Sequence, residues 1–252
     1  MSDLIKFDPS ILDIAGVSGQ ENREKVDSAR ISFKGGKFTL QDSLLGNAGL
    51  EFWGIVLNFS FLKTFYTRKY KEGEALLPDC FAVSLDADQK LWAPHANAYA
   101  PQAMNCDACE HNKWGTADDG DGKGKACRDQ RRLVVLAADS FKSGALGLED
   151  ATLGVMELPP TSIKNWKKYY NDMRVAYGVD SFAYVTKFTL DENVDYPVVK
   201  YSLHKFVDSR EMLLALKAKV TKEALEMALR PYPKEDEPRP ETKASKPRNR
   251  KY

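Results

Sequence analysis

Four cysteines fall within one stretch of the chain. Cys80, Cys106, Cys109 and Cys127 are spaced C-x25-C-x2-C-x17-C. A C-x2-C pair sets two thiolates on one tight turn, and two further sulfurs complete the tetrahedral shell that zinc prefers. Four sulfur ligands leave no open position for water, so a zinc held this way is structural and not catalytic. His95 and His111 lie in the same loop, which makes three cysteines with one histidine in place of Cys80 the nearest rival shell. Iron–sulfur clusters use the same ligands, and spacing alone does not separate them from zinc. Clustered free thiols are the plainest alternative, but a C-x2-C in a polar loop has little apolar surface to pack against.

Motifs for chemistry are missing around these cysteines. Zinc deaminases need H-x-E and P-C-x-x-C. Here His95 is followed by Ala96-Asn97, and Asn105 precedes Cys106. The Gly-rich stretch Asp118-Asp-Gly-Asp-Gly-Lys-Gly-Lys125 lacks the GK[ST] of a P-loop and the terminal Glu of a calcium loop. It reads as a flexible loop tip. The reading is therefore non-enzymatic.

Basic and aromatic residues surround the cysteines. Phe65, Tyr66, Arg68, Lys69 and Tyr70 interleave rings with cations. Lys123, Lys125, Arg128, Arg131 and Arg132 form a second cationic cluster, with Trp114 nearby, and Arg30, Lys34 and Lys37 could extend the track. Single-strand binding asks for this pairing of cations for phosphates with ring faces for bases. The competing use of the rings is core packing, to which Trp53, Phe59 and Trp166 are assigned. The net charge of +1 means that any such surface is a local patch.

The elements that must position these groups are mostly strands. Arg30–Leu40 alternates around Gly35-Gly36 as a hairpin, Leu50–Leu62 reads as a buried central strand, and Pro78–Asp86 as a short strand delivering Cys80. Residues 87–129 are loop-like. Arg132–Ala137 and Gly154–Leu158 return as strands. A helix starts at Pro159-Pro-Thr-Ser, carries Ile163, Trp166, Tyr169, Tyr170, Met173 and Tyr177 at helical spacing, and stops at Gly178. Residues 182–190 and 198–203 form a second hairpin, and Asp208-Ser-Arg-Glu211 caps a final helix that ends before Pro231. This predicts a mainly β (α+β) fold: a small OB-fold-like β-barrel with a zinc-stapled loop insertion, an inter-strand helix and a C-terminal helix. Residues 1–25 form a peripheral segment, 26–230 the domain with its zinc loop at about 80–132, and 231–252 a disordered tail with a basic end.

The chain has 252 residues, of which 43% are hydrophobic, enough for a sizeable core. No apolar run approaches a membrane span and the N-terminus lacks a signal-peptide layout, so a soluble, cytoplasmic protein is expected, in which clustered cysteines favour metal over disulfides.

With these residues in view, the sequence resembles phage and prophage single-stranded DNA-binding replication proteins with an OB-type core. The matching pieces are Arg30-Ile-Ser-Phe-Lys-Gly-Gly-Lys-Phe, Phe65-Tyr-Thr-Arg-Lys-Tyr70, Pro78-Asp-Cys-Phe-Ala-Val-Ser84, Cys106-Asp-Ala-Cys-Glu-His-Asn-Lys-Trp-Gly-Thr116, Gly124-Lys-Ala-Cys-Arg-Asp-Gln-Arg-Arg-Leu133, Leu158-Pro-Pro-Thr-Ser-Ile-Lys-Asn-Trp166 and Tyr184-Val-Thr-Lys-Phe188. They cover roughly residues 30 to 225. The resemblance implies Cys80, Cys106, Cys109 and Cys127 as metal ligands, and single-stranded DNA as partner during host-cell phage replication or recombination. Glu110 stands where such proteins often have Pro, Thr116 where Ser is usual, and the tail ends basic where many single-strand binders end acidic. Phage or host replication proteins are expected partners of that tail. An adaptor that recruits the replication or transcription machinery is the alternative function.

Overall fold

The computed structural model describes residues 29–234 apart from short internal stretches at 35, 41–42, 47, 69–75, 89, 91, 118–122, 144–150 and 195. The N-terminal segment 1–25, Lys69, Tyr70, the tip of the Gly-rich loop and the tail from 235 onward lie outside the described residues, as does the side chain of Lys34.

β1 (Ala29–Lys34) and β2 (Lys37–Leu40) form the expected hairpin, with Gly36 at φ 72° in its turn, where a side chain would be strained. β3 (Ser43–Leu44) follows. The central strand is β4 (Glu51–Phe65), flanked by β6 (Arg128–Ala137) along its length on one edge. Its other edge is shared by β8 (Tyr184–Leu190) near its start and β5 (Cys80–Ser84) near its end. With β7 (Thr152–Leu158) and β9 (Val199–Phe206), the order is β3-β2-β1-β7-β6-β4-β8-β9, with β5 off this path beside β4. Neighbours are antiparallel except β1 and β7.

The result is mainly β and strongly curled into a half-barrel. The expected small OB-fold-like β-barrel is met in this coarser sense. Among the described residues the end strands β3 and β9 do not pair with each other, so the sheet stays open.

Helices cover both faces. On the first face, α2 (Pro160–Tyr177) lays Trp166, Tyr169 and Tyr170 on Phe52, Val56, Leu133, Val135 and Phe188. It begins with Pro160 at its first position and ends at Gly178, whose left-handed φ of 66° no β-branched residue would tolerate. The Ser162 hydroxyl accepts the Val199 N–H and the Asn165 amide donates to the Val199 carbonyl, pinning the helix to β9. On the second face, α1 (Ser140–Ser143), α3 (Arg210–Thr221) and α4 (Glu223–Leu229) bury Phe141, Leu216, Ala224, Met227 and Ala228 against Trp53, Ile55, Leu57, Val134 and Leu136. The final helix is thus two helices, parted at Lys222. Its N-cap is Ser209, which accepts the Met212 N–H, one residue later than the sequence reading put it.

One irregularity decides what β4 presents. Val56 pairs with Val135 and Asn58 with Val134, leaving Leu57 as a bulge. Before it, Trp53, Ile55 and Leu57 face α3 and α4. After it, Phe59 pairs with Leu133, a residue of the first-face core, so odd-numbered residues now point to the opposite side. No helix among the described residues is long and apolar enough to cross a membrane.

Candidate nucleic-acid interface and cysteine cavity

Beyond the bulge, Phe59, Phe61, Lys63 and Phe65 follow one another along the first face. Across the ladder to β6, Phe61 meets Arg131 and Lys63 meets Asp129. Across the ladder to β5, Lys63 meets Ala82 and Phe65 meets Cys80. Strand pairing alone therefore delivers a cysteine, a lysine and an arginine to one surface.

The long loop closes over the Phe65 end of this row. All four cysteines, together with Lys63, Phe65 and Asn112, line a single cavity of about 20 Å³. That is room for one water-sized sphere. Cys80 comes from β5 and Cys127 from the residue before β6. Cys106 and Cys109 come from the loop, just ahead of a 3-10 turn at Glu110–Asn112. Among the described residues no histidine and no carboxylate lines the cavity. The His111 ring stacks on Phe65 at 4.1 Å, and the His95 ring stacks on Phe81 with Nδ1 accepting the Asn97 N–H. Of the two ligand sets open from sequence, four sulfurs are the set that shares one cavity.

All four cysteines are buried and reduced. Burial pushes the thiols up, Cys106 to about 11 and Cys127 to about 12, with Cys80 raised in the same way. Cys80, Cys106 and Cys127 are thus neutral near pH 7. Among the described residues no three His, Cys, Asp or Glu side chains are arranged as a group that could hold a metal ion. The donor set fits zinc in kind and number, but loading would require the side chains to close in across the cavity and shed protons. The loop also has a frame of its own. The Cys106 N–H donates to the Trp92 carbonyl, Cys127 N–H to that of His111, and the Asn112 amide to that of Cys106. The Lys63 ammonium reaches Asn112 Oδ1 at 2.7 Å and Asp129 Oδ1 at 2.6 Å, and Lys125 bonds the same two side chains.

Toward α2 the row becomes aromatic and half-exposed. Phe61 meets the buried Trp92 at 6.2 Å and Phe59 at 5.9 Å, and Phe59 meets Tyr170 of α2 at 5.0 Å. Cations sit on this strip. The Arg131 guanidinium lies 4.1 Å from the Phe61 ring centre, and Arg174, ion-paired with Asp180, bonds the Tyr170 hydroxyl. Lys167, one helical turn before Tyr170, is exposed. On the cysteine loop Trp114 is 77% exposed, with Lys125 over its ring at 5.2 Å and the exposed Lys123 on the same loop.

The residues singled out in the sequence are therefore divided. Arg131, Trp114, Lys123 and Lys125 share the first face and its loop. Phe65 is buried against Cys80 and Cys127 and offers no ring to a ligand. Arg132 points through to the second face, where its side chain is 6% exposed. There it pairs with Glu157 at 2.8 Å and donates to the carbonyls of Ala228 and Arg230 that end α4. It serves as a helix C-cap, not as a phosphate contact. Arg30, 75% exposed, lies 4.0 Å from Glu157 on that second face. The half-buried Tyr66, its hydroxyl pushed up by burial and then by Glu157, is there too, with Arg128 near. Arg68 is exposed beyond the end of β4. Phe61, Tyr170 and Arg174 were not among the candidates read from the sequence, and Phe59 was read as core. Phe59 packs against the first-face core, as its assignment to core expected, and the other three come together only through the bulge and the packing of α2. Comparison of the chain with protein-family models, with curated proteins and with solved structures gave no match.

Proposed function

We propose that this protein binds single-stranded DNA, largely without regard to sequence, along the first face of the half-barrel. The observation that carries the reading is the strip Phe61–Phe59–Tyr170 with Arg131 stacked on its first ring. Half-exposed rings offer faces to unstacked bases, and the adjoining cations offer charge to phosphates. The cysteine loop extends the strip with Trp114, Lys123 and Lys125. In use this is an OB-type platform, a curved β surface with a binding loop at its edge. No step of catalysis is assigned to it. The resemblance stated above points to strand protection in phage DNA replication or recombination, with zinc in the four-cysteine cavity stiffening the loop.

Titration of the full chain with a mixed-sequence oligonucleotide at low salt tests this. Binding that prefers single strands over duplex and weakens steeply with salt is expected. Absence of binding, or a preference for duplex, would overturn it. Binding that vanishes only when the tail is removed would favour the adaptor reading instead.

A further inference from the structure

Lys63 is the most deeply buried cation beside the cysteines. Its side chain is 1% exposed, whereas its carboxylate partner Asp129 is 32% exposed. An ammonium is costly to bury unless opposite charge compensates it from within. Among the described residues, Asp129 and Asn112 take two of its three N–H bonds. The side chain itself lines the cavity. Asn112 links it directly to the C-x2-C turn, because the Asn112 amide holds the Cys106 carbonyl.

We propose that the cavity is built for an anionic four-sulfur metal centre whose excess negative charge is balanced from within the sheet by Lys63, with Lys125 behind it. This rests on the zinc reading. Zinc with four thiolates carries a net charge of −2. Lys63, Lys125 and Asp129 together carry +1, two ammonium groups against one carboxylate. The cluster thus offsets half of that charge. Lys63 is then a positioning and charge-balancing residue, tied by hydrogen bonds to the turn that presents two of the ligands. In the metal-free chain one carboxylate, Asp129, serves both ammonium groups, and the loaded centre supplies further negative charge beside them.

The test is zinc affinity, measured by competition with a chromophoric chelator, for the full-length protein and for Lys63→Gln, Lys63→Arg and Asp129→Asn. Expected is a loss of about 10- to 100-fold for Lys63→Gln, the size usual for outer-shell partners of a metal site. Lys63→Arg should largely restore affinity. Asp129→Asn removes a negative charge while keeping an acceptor, and should bind zinc as tightly as the parent or more so. A purely structural Lys63–Asp129 pair predicts the opposite for Asp129→Asn, a loss like that of Lys63→Gln, and that result overturns the proposal. So does a folded Lys63→Gln with unchanged affinity. If Lys63→Gln does not fold, the direction of the Asp129→Asn change decides alone. Failure of the parent protein to bind zinc at all removes the zinc reading, and this proposal with it.

Discussion

Phe61 and Arg131 face each other across the β4–β6 ladder, the guanidinium 4.1 Å from the ring centre. If the first face binds single strands as proposed, a guanidinium this close to a ring can reach a phosphate beside a stacked base. Phe61→Ala should weaken binding of a mixed-sequence oligonucleotide by about 1–3 kcal/mol, the loss of one stacked base. Arg131→Gln should also flatten the dependence of log affinity on log salt by about 0.7, one phosphate contact on a single strand. Fluorescence titration across a salt series reads both, and unchanged affinity in both variants would remove the strip from the site.

Arg132, its neighbour in sequence, should behave oppositely. It caps α4 and pairs with Glu157 in the interior. Removing one partner of a buried pair costs about 3–5 kcal/mol. Arg132→Met should therefore lower the urea midpoint strongly while leaving DNA affinity nearly intact wherever the protein is still folded. A variant of normal stability with lost DNA binding would contradict this placement.

Trp114 supplies a third contrast. It is exposed, and its ring contact is Lys125. Trp114→Ala should leave thermal unfolding within about 0.5 kcal/mol of the parent, as surface substitutions usually do. It should reduce both oligonucleotide affinity and the quenching of tryptophan fluorescence on binding. Equal quenching in the parent and the variant would place the strand elsewhere.

The raised thiols set an alkaline limit on the metal-free protein. Cys106 and Cys127 titrate at about 11 and about 12 when folded, against about 8.5 for a free thiol. Between those values the folded chain holds protons that the unfolded chain has released, so stability declines as pH rises. Burial of Tyr169, pushed to about 12, acts in the same direction at its upper end. After chelation the urea midpoint should be level up to about pH 8.5 and fall progressively above it. Zinc binding, which requires thiolates, should conversely tighten as pH rises and release protons on mixing. A midpoint flat to pH 11 would show that these thiols are not held as described.

What was legible in the sequence were the features that depend on local pattern. The Gly35-Gly36 hairpin, the long apolar strand and the Pro160–Gly178 helix are written in turn residues, alternation and caps. The co-location of the cysteines on one cavity was legible too, because a C-x2-C turn and a strand end can be recognised singly. The break between α3 and α4 was not. Lys222 is an ordinary helix former, and nothing in its type announces the non-helical φ of −117° and ψ of −82° at which the two helices part. The split of the basic cluster was equally hidden. Arg131 and Arg132 look equivalent until β6 is placed between two faces. Whether the barrel closes was not legible, since counting short strands does not say whether the last one meets the first.

The bulge at Leu57 makes β4 a strand with a change of parity. Up to residue 57 odd numbers serve the helical layer of α3 and α4, and from 59 onward they lie on the first face. Substitutions in its second half therefore sort by number alone. Changes at Phe59, Phe61, Lys63 and Phe65 alter what the protein touches or the cavity it builds. Changes at Ser60, Leu62 and Thr64 alter how well the opposite layer is held. A scan of single substitutions along this strand would show function and stability alternating residue by residue, out of step with the half that precedes it.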